Sequence, residues 1–322
     1  MKGFDPKYKD FPDYINGITY EIWEERGIDK LEYLYSNDIP VRSPSGIVIG
    51  NKDVIKATKA TLSEFPDRQL QGEDVIWSGS PDTGMLSSHR IISTASHLGD
   101  GIYGKATGKK VKFRTIADCH AINNQINDEW LIRDQGGIVR QLGMEVEDCA
   151  RKQIDAEGGP ENCKWPFSES MNQIGPYQGK GNSNEWGEKY VDILRQIMNS
   201  DEAVITNQYD RGCHLEYPGG VTGHSYSDAT EFWTNLRSAL PSAKFTIEHQ
   251  IGREDKNMSP RAAVRWTLEG KHDGWGVFGA PSGAELYVMG VSHAEFGPWG
   301  LRREYTIFDE VALWKQIILK TG

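Results

Sequence analysis

The stretch INDEWLIRDQGGIVRQLG, residues 126–143, decides how the chain is read. Apolar and polar residues alternate across most of it, which is the period of a half-buried strand. Asp134 nevertheless shares the phase of Ile126, Trp130 and Ile132. Just upstream, Asn123-Asn124 suits a two-residue hairpin turn, because asparagine tolerates positive φ. Counting from that turn puts Trp130, Ile132 and Asp134 on one face, with Phe113, Thr115 and Ala117 as neighbours across the hairpin. If that face lines the interior, Asp134 is a carboxylate in an apolar wall. Burial raises a carboxyl pKa toward the range of a general acid or base. The alternative is a carboxylate paired with Arg133 or Arg140, or one at a solvated strand end.

Working outward, the same pattern occurs twice. At an offset of 175 positions Arg90 meets Arg265, His97 meets His272, Glu129 meets Glu304, Asp134 meets Asp309 and Gln141 meets Gln316. Tyr35, Pro44 and Gly46 meet Tyr209, Pro218 and Gly220 at a slightly smaller offset. A period this long is a duplicated domain. The reading is a first copy over residues 1–156, a linker over 157–184 and a diverged second copy over 185–322. The linker is rich in Gly, Pro, Ser and Asn, but Trp165, Phe167 and Tyr177 suggest that it packs on a domain surface.

Each half runs from helical to strand periodicity. Ile15, Ile18, Ile22 and Trp23 mark a first helix ended by Gly27, IDKLEYLY a second, and residues 53–65 a third stopped by Pro66. Strands are expected over 70–77, 87–97, 110–122 and 126–142, then over 243–250, 261–271, 285–296 and 302–317. The fold class is α+β: two tandem cone-shaped domains, each with three N-terminal helices packed on a curved antiparallel sheet. Such a cone encloses a pocket suited to a small molecule.

Composition narrows the function. The 322 residues carry a net charge of −10, against a nucleic-acid partner. No apolar run reaches the ~18 residues of a membrane span, and the N-terminal residues lack a signal-peptide core. Cys119, Cys149, Cys163 and Cys213 are widely spaced, which suits free thiols in a reducing, cytoplasmic setting and offers no zinc framework. No metal and no cofactor are expected. His97 and His272 each precede a glycine-containing turn and are either pocket residues or satisfied strand histidines. His120 lies on the strand paired with that of Asp134, facing inward only if a bulge intervenes. GKATGKK, residues 104–110, lacks the order of a phosphate-binding loop.

INDEWLIRDQGGIVRQLG resembles the C-terminal motif of the SnoaL-like polyketide cyclases, of the nuclear-transport-factor-2-like superfamily, through Ile126, Glu129, Trp130, Asp134 and Gln141-Leu142-Gly143. SHLGDGIYGKATGKKV and IWEERGIDKLEYLYSNDI resemble upstream family segments, so the likeness covers most of residues 12–147. The second copy resembles the family more weakly, with Tyr305 in place of Trp130. The resemblance implies cofactor-independent acid/base catalysis, an aldol-type ring closure or isomerisation of an apolar carbonyl compound. It would make Asp134 and Asp309 the acid/base groups, with His97, His120 or His272 hydrogen bonding the substrate. Tyr20, Trp130, Phe113, Ile132 and Tyr305 would line the pocket. A non-catalytic small-molecule binder and an epoxide hydrolase or isomerase are the alternatives. The two copies are expected to pair within the chain, and homo-oligomers are compatible with that.

Overall fold

One extra residue in the last hairpin of each domain sets the phase of everything after it. The computed structural model describes residues 1–201 and 203–322. The first domain runs α1 (Phe11–Thr19), a π-helical turn, α2 (Leu31–Leu34), β1 (Pro40–Ser43), β2 (Gly46–Ile49), α3 (Asn51–Glu64), β3 (Gln69–Ser80), β4 (Gly84–Ser96), β5 (Lys110–Ile122), β6 (Gln125–Arg133), α4 (Gln135–Leu142) and α5 (Val146–Ala156). The second runs α6 (Glu185–Met198), α7 (Ala203–Gln208), β7 (Tyr209–Tyr217), β8 (Val221–Gly223), α8 (Tyr226–Ala239), β9 (Lys244–Arg253), β10 (Arg261–Lys271), β11 (Glu285–Gly297), β12 (Gly300–Ile307) and α9 (Glu310–Thr321).

Each domain has a six-stranded sheet, in the orders β2-β1-β6-β5-β4-β3 and β8-β7-β12-β11-β10-β9. The sheets are mixed, not antiparallel throughout, because β1 runs parallel to β6 and β7 parallel to β12. The short hairpin β1–β2 escaped the periodicity reading because Pro40 and Pro44 look like loop punctuation. Pro40 is the first residue of its strand, a place where a missing N–H is tolerated.

In the first domain Asn123 and Asn124 turn the hairpin with φ of 50° and 62°. The ladder then pairs Ala121 with Ile126 but His120 with Asp128, leaving Asn127 as a bulge. In β12 the register likewise passes from Phe296–Leu301 to Glu295–Arg303, leaving Arg302 as a bulge. A one-residue shift exchanges the two faces of a strand. The simple count from the turn is therefore out by one. Glu129, Leu131 and Arg133 face the cone, and Trp130 and Ile132 face outward.

The long strands expected over 126–142 and 302–317 also end early. Asp134 and Asp309 are N-caps that stop β6 and β12 and start α4 and α9. Ile138, Val139 and Leu142 are the buried face of α4, and Gly143 closes it in the left-handed region at φ 82°. A carboxylate ends the apolar phase because the strand itself ends there.

The outward faces of the two sheets pack on each other. Ile116 and Ile132 meet Phe167, Met289, Val291 and Ile307, and Ile76 and Leu86 meet Ile251 and Ala263. Around this apolar seam, Trp130 lies between the guanidiniums of Arg42 (4.4 Å) and Arg265 (3.7 Å). Arg265 Nε donates to Asp118 Oδ2 across the domains at 3.0 Å. Residues 157–184 run along the seam, with the Tyr177 N–H on Asp128 Oδ2 and its hydroxyl 2.7 Å from His249 Nε2. Removing one partner of a buried ion pair leaves the other charge uncompensated. Arg265→Ala is expected to lose about 3 kcal/mol of stability in urea unfolding; a loss below about 0.5 kcal/mol, the range of ordinary surface changes, would show that the pair does not hold the seam.

Candidate active site

The concave face of the first sheet is built from alternate residues: His89 and Ile91 on β4, Thr115, Ala117 and Cys119 on β5, and Glu129, Leu131 and Arg133 on β6. Ile15 and Ile18 of α1 and Val54, Thr58 and Thr61 of α3 cover it. Between them lies a cavity of about 280 Å³. Its walls are largely aliphatic, yet it gathers buried polar atoms without a hydrogen-bond partner: Glu129 Oε2, His89 Nε2, Thr115 Oγ1, Arg68 Nη1 and Arg133 Nε. Buried polar groups are ordinarily satisfied. A cluster of unsatisfied ones around a void makes this cavity the candidate site.

Glu129 is the central acid. Burial pushes its carboxyl up to about 7, and the Tyr35 hydroxyl and Cys119 thiol beside it only partly offset that cost. Burial also holds the His89 imidazole down at about 4, with Arg90 adding to the effect, so His89 is neutral near pH 7. A second acid comes from the other domain. Asp309 lines this cavity beside Pro44, Ser45 and Gln135. Its Oδ1 accepts from the N–H groups of Val311 (2.9 Å) and Ala312 (3.1 Å), the first turn of α9. Burial pushes that carboxyl up to about 7 as well.

The corresponding space in the second domain is filled. Glu304, at the position of Glu129, accepts hydrogen bonds from the hydroxyls of Tyr190 (2.7 Å), Tyr209 (2.9 Å) and Tyr217 (2.7 Å) and from Trp233 Nε1 (3.2 Å). At the offset of 175, Trp233 stands for Thr58, Trp266 for Ile91 and Phe308 for Arg133. All three rings are buried in that core. Gly290 makes room for one of them, since a Cβ there would meet the Trp266 ring at 2.2 Å.

The remaining expected site residues lie elsewhere. Asp134 is buried but faces the second domain: its Oδ1 accepts from Gly137 (2.9 Å) and Gly219 (2.8 Å), and its Oδ2 from Gly220 (2.9 Å). Gly219 and Gly220 present both N–H groups from the left-handed region, at φ 84° and 72°. Burial still pushes Asp134 up to about 6. Arg140, one of its suggested partners, instead grips Glu310 across the domains at 2.5 and 2.8 Å.

His97 bonds Thr107 Oγ1 at 3.1 Å and lies 3.3 Å from Glu64, tying down its loop. His272 does the same with Ser282 Oγ at 3.0 Å. His120 bonds Asn127 Oδ1 at 2.6 Å and stacks against Tyr177 on the outer face. Tyr20 is 58% exposed on the π-helical turn and does not line the cavity. Trp130, Ile132 and Tyr305 face the seam, where the Arg90 guanidinium covers Tyr305 at 3.6 Å. Phe113 keeps the inward phase but lies in the cluster under α4, with Ile138 and Val139. The bulges account for Trp130, Ile132 and Tyr305, and the early helix caps for Asp134. Glu129 was visible as one half of a repeated pair, but the uncorrected count turned it outward.

Residues 15–142 match the family model described as SnoaL-like polyketide cyclase. The match lies within the first domain. Solved structures similar to the chain include AclR of Streptomyces galilaeus, at 20% identity over 40% of this chain and 91% of that one, TM-score 0.35. IdmH of Streptomyces antibioticus shows 20% identity over 41% and 98%, TM-score 0.36. A SnoaL-like polyketide cyclase of Agrobacterium tumefaciens shows 16% over 42% and 98%, TM-score 0.33. No curated protein sequence matches. The cavity, with Glu129, lies within the matched residues, and Asp309 reaches it from outside them. No described helix is long and apolar enough to cross a membrane, and no group of three potential metal ligands occurs among the described residues.

The raised acid makes a stability prediction whose sign is fixed. Folded Glu129 binds its proton more tightly than the unfolded chain does, so its contribution is fully present below about pH 4.5 and is lost as pH rises to about 7. Glu129→Gln removes that loss. The variant is expected to match the wild type near pH 4.5 and to exceed it at pH 8 by on the order of 3 kcal/mol. Denaturant unfolding at the two pH values measures this; an equal difference at both would show that Glu129 titrates normally.

Proposed function

We propose that the first domain is an acid/base catalyst of the cyclase or isomerase type, acting on a small carbonyl compound in its cavity, with Glu129 as the base. One contrast carries this reading. The same glutamate occurs in both copies, saturated by four donors in the second and holding an unpartnered oxygen over a void in the first. A carboxyl held near 7 is poised to accept and return a proton at neutral pH.

In the proposed reaction the Glu129 carboxylate removes a proton from a carbon next to a carbonyl. The C–H electron pair moves into the carbonyl, giving an enolate. The enolate carbon then bonds to a second carbonyl carbon of the same molecule, and the resulting alkoxide recovers the proton from Glu129. Unpartnered Thr115 Oγ1 and a protonated Asp309 can hydrogen bond polar groups of the substrate farther along the cavity. Holding both reacting carbons in one small cavity supplies the proximity that ring closure needs. The volume of about 280 Å³ lies at the lower end of small-molecule sites, which favours a ligand of about one or two rings. Asp134 acts in this scheme as a positioning residue. It caps α4 and holds the glycine turn of the second domain.

Proton removal from carbon can be tested without the natural substrate. A panel of 1,3-dicarbonyl compounds in D2O is expected to show hydrogen–deuterium exchange at carbon, followed by NMR. The rate should rise with pH through about 7 as Glu129 ionises, and Glu129→Gln should lower it at least ~100-fold. Exchange at the wild-type rate in that variant would remove Glu129 from the role of base. No exchange across the panel would favour a non-catalytic binder.

A further inference from the structure

We propose that the first cavity seats an organic carboxylate, with the anionic head against Arg68 and Arg133 and the carbon skeleton running toward Glu129. As a statement about substrate, this deepens the acid/base reading and rests on this cavity being the reaction site.

Arg68 is 2% exposed, and among the described residues its side chain hydrogen bonds Ser93 Oγ, at 3.3 Å from Nε and 3.1 Å from Nη2. Nη1 has no partner. The rings of Trp23 and Phe113 lie 4.7 and 5.1 Å from its guanidinium. Arg133 reaches the same region: its guanidinium is 5.9 Å from the Phe113 ring and its Nε is unpartnered. Among the described residues, neither guanidinium has a carboxylate within ion-pair distance. Other buried arginines here do: Arg42 pairs with Asp128, Arg265 with Asp118 and Arg261 with Asp74. A buried guanidinium beside a half-buried one, without an anion, is costly unless something else supplies it.

The diverged copy gives an independent indication. At the offset of 175, Arg68 becomes Ala243, Arg133 becomes Phe308 and Thr115 becomes Gly290. The copy whose cavity is filled lacks both arginines, so the charge occurs only where there is a void to face. Thr115 pairs directly with Arg133 in the ladder and adds its free hydroxyl to the same end. Glu129 is four residues from Arg133 on β6, roughly 13 Å along the strand. The acid and the cations therefore stand at separate ends of an aliphatic chamber. That arrangement fits a carbonyl compound that also carries a carboxylate. The aliphatic walls argue for an organic acid over a bare inorganic anion.

The test is calorimetric titration of the whole chain at pH 7 with benzoate, phenylacetate and hexanoate, each against its neutral amide, and with inorganic phosphate. At least one acid is expected to bind ten or more times more tightly than its amide. Arg68→Met and Arg133→Met should each weaken that acid at least tenfold, while Glu129→Gln leaves it bound. Arg68→Met removes an unpaired buried charge, so its melting temperature should not fall; should it fail to fold, Arg133→Met carries the same test. The proposal is overturned if amides bind as well as acids, if phosphate binds and no organic acid does, or if both arginine variants keep full affinity. Retained acid binding without carbon exchange would leave the anion seat standing and remove only the acid/base reading.

Discussion

The bulges at Asn127 and Arg302 set what each last strand shows to each side. Each adds one residue to a hairpin, and everything beyond is turned over. Glu129 and Glu304 go inward, while Trp130 and Tyr305 go outward. The inward turn creates the buried acid. The outward turn supplies the aromatic surfaces that arginines of both domains cover, so one backbone irregularity provides for the cavity and the seam together. Without it the glutamates would face the opposing sheet, and the two large rings would fill the cones.

From that constraint the two domains diverge through side-chain volume. The second places Trp233, Trp266 and Phe308 where the first has Thr58, Ile91 and Arg133, and it satisfies Glu304 with four donors. Dense packing and full hydrogen bonding are what stability favours. The first domain keeps a void, unpartnered polar atoms and acids that burial holds protonated toward neutrality. Departures of this kind cluster where a ligand completes the structure.

Much of this was legible in the sequence. The duplication, the α+β order and most strand positions follow from periodicity, because long half-buried strands write a clear period of two. The short β1–β2 hairpin was hidden by its prolines. The helices after Asp134 and Asp309 were hidden because Gln141 and its neighbours could continue a strand pattern. Their N-cap aspartates, the helical spacing of Ile138, Val139 and Leu142, and Gly143 were signals that could have found α4. The inward phase was not legible, since a bulge leaves no mark in hydrophobic alternation. His97 and His272 repeat faithfully because both copies need the same loop tied down, so repetition alone did not separate structure from chemistry.

The seam between the sheets explains why a filled second copy belongs in the same chain. Asp134 of the first domain reaches the glycine turn of the second, and Asp309 of the second reaches the cavity of the first. The same capping aspartate therefore has two outcomes. Against Gly219 and Gly220 its carboxylate meets two more N–H groups and becomes a clasp. Against Pro44 and Ser45 no such bonds form among the described residues, since Pro44 has no N–H, and the carboxylate lines an open space instead. A wall of the first cavity thus comes from a domain whose own cavity is closed, and the packing of that closed domain fixes where Asp309 stands. Rigidity in one copy and an unfilled space in the other are parts of a single arrangement, in which the second domain positions an acid that the first cannot provide for itself.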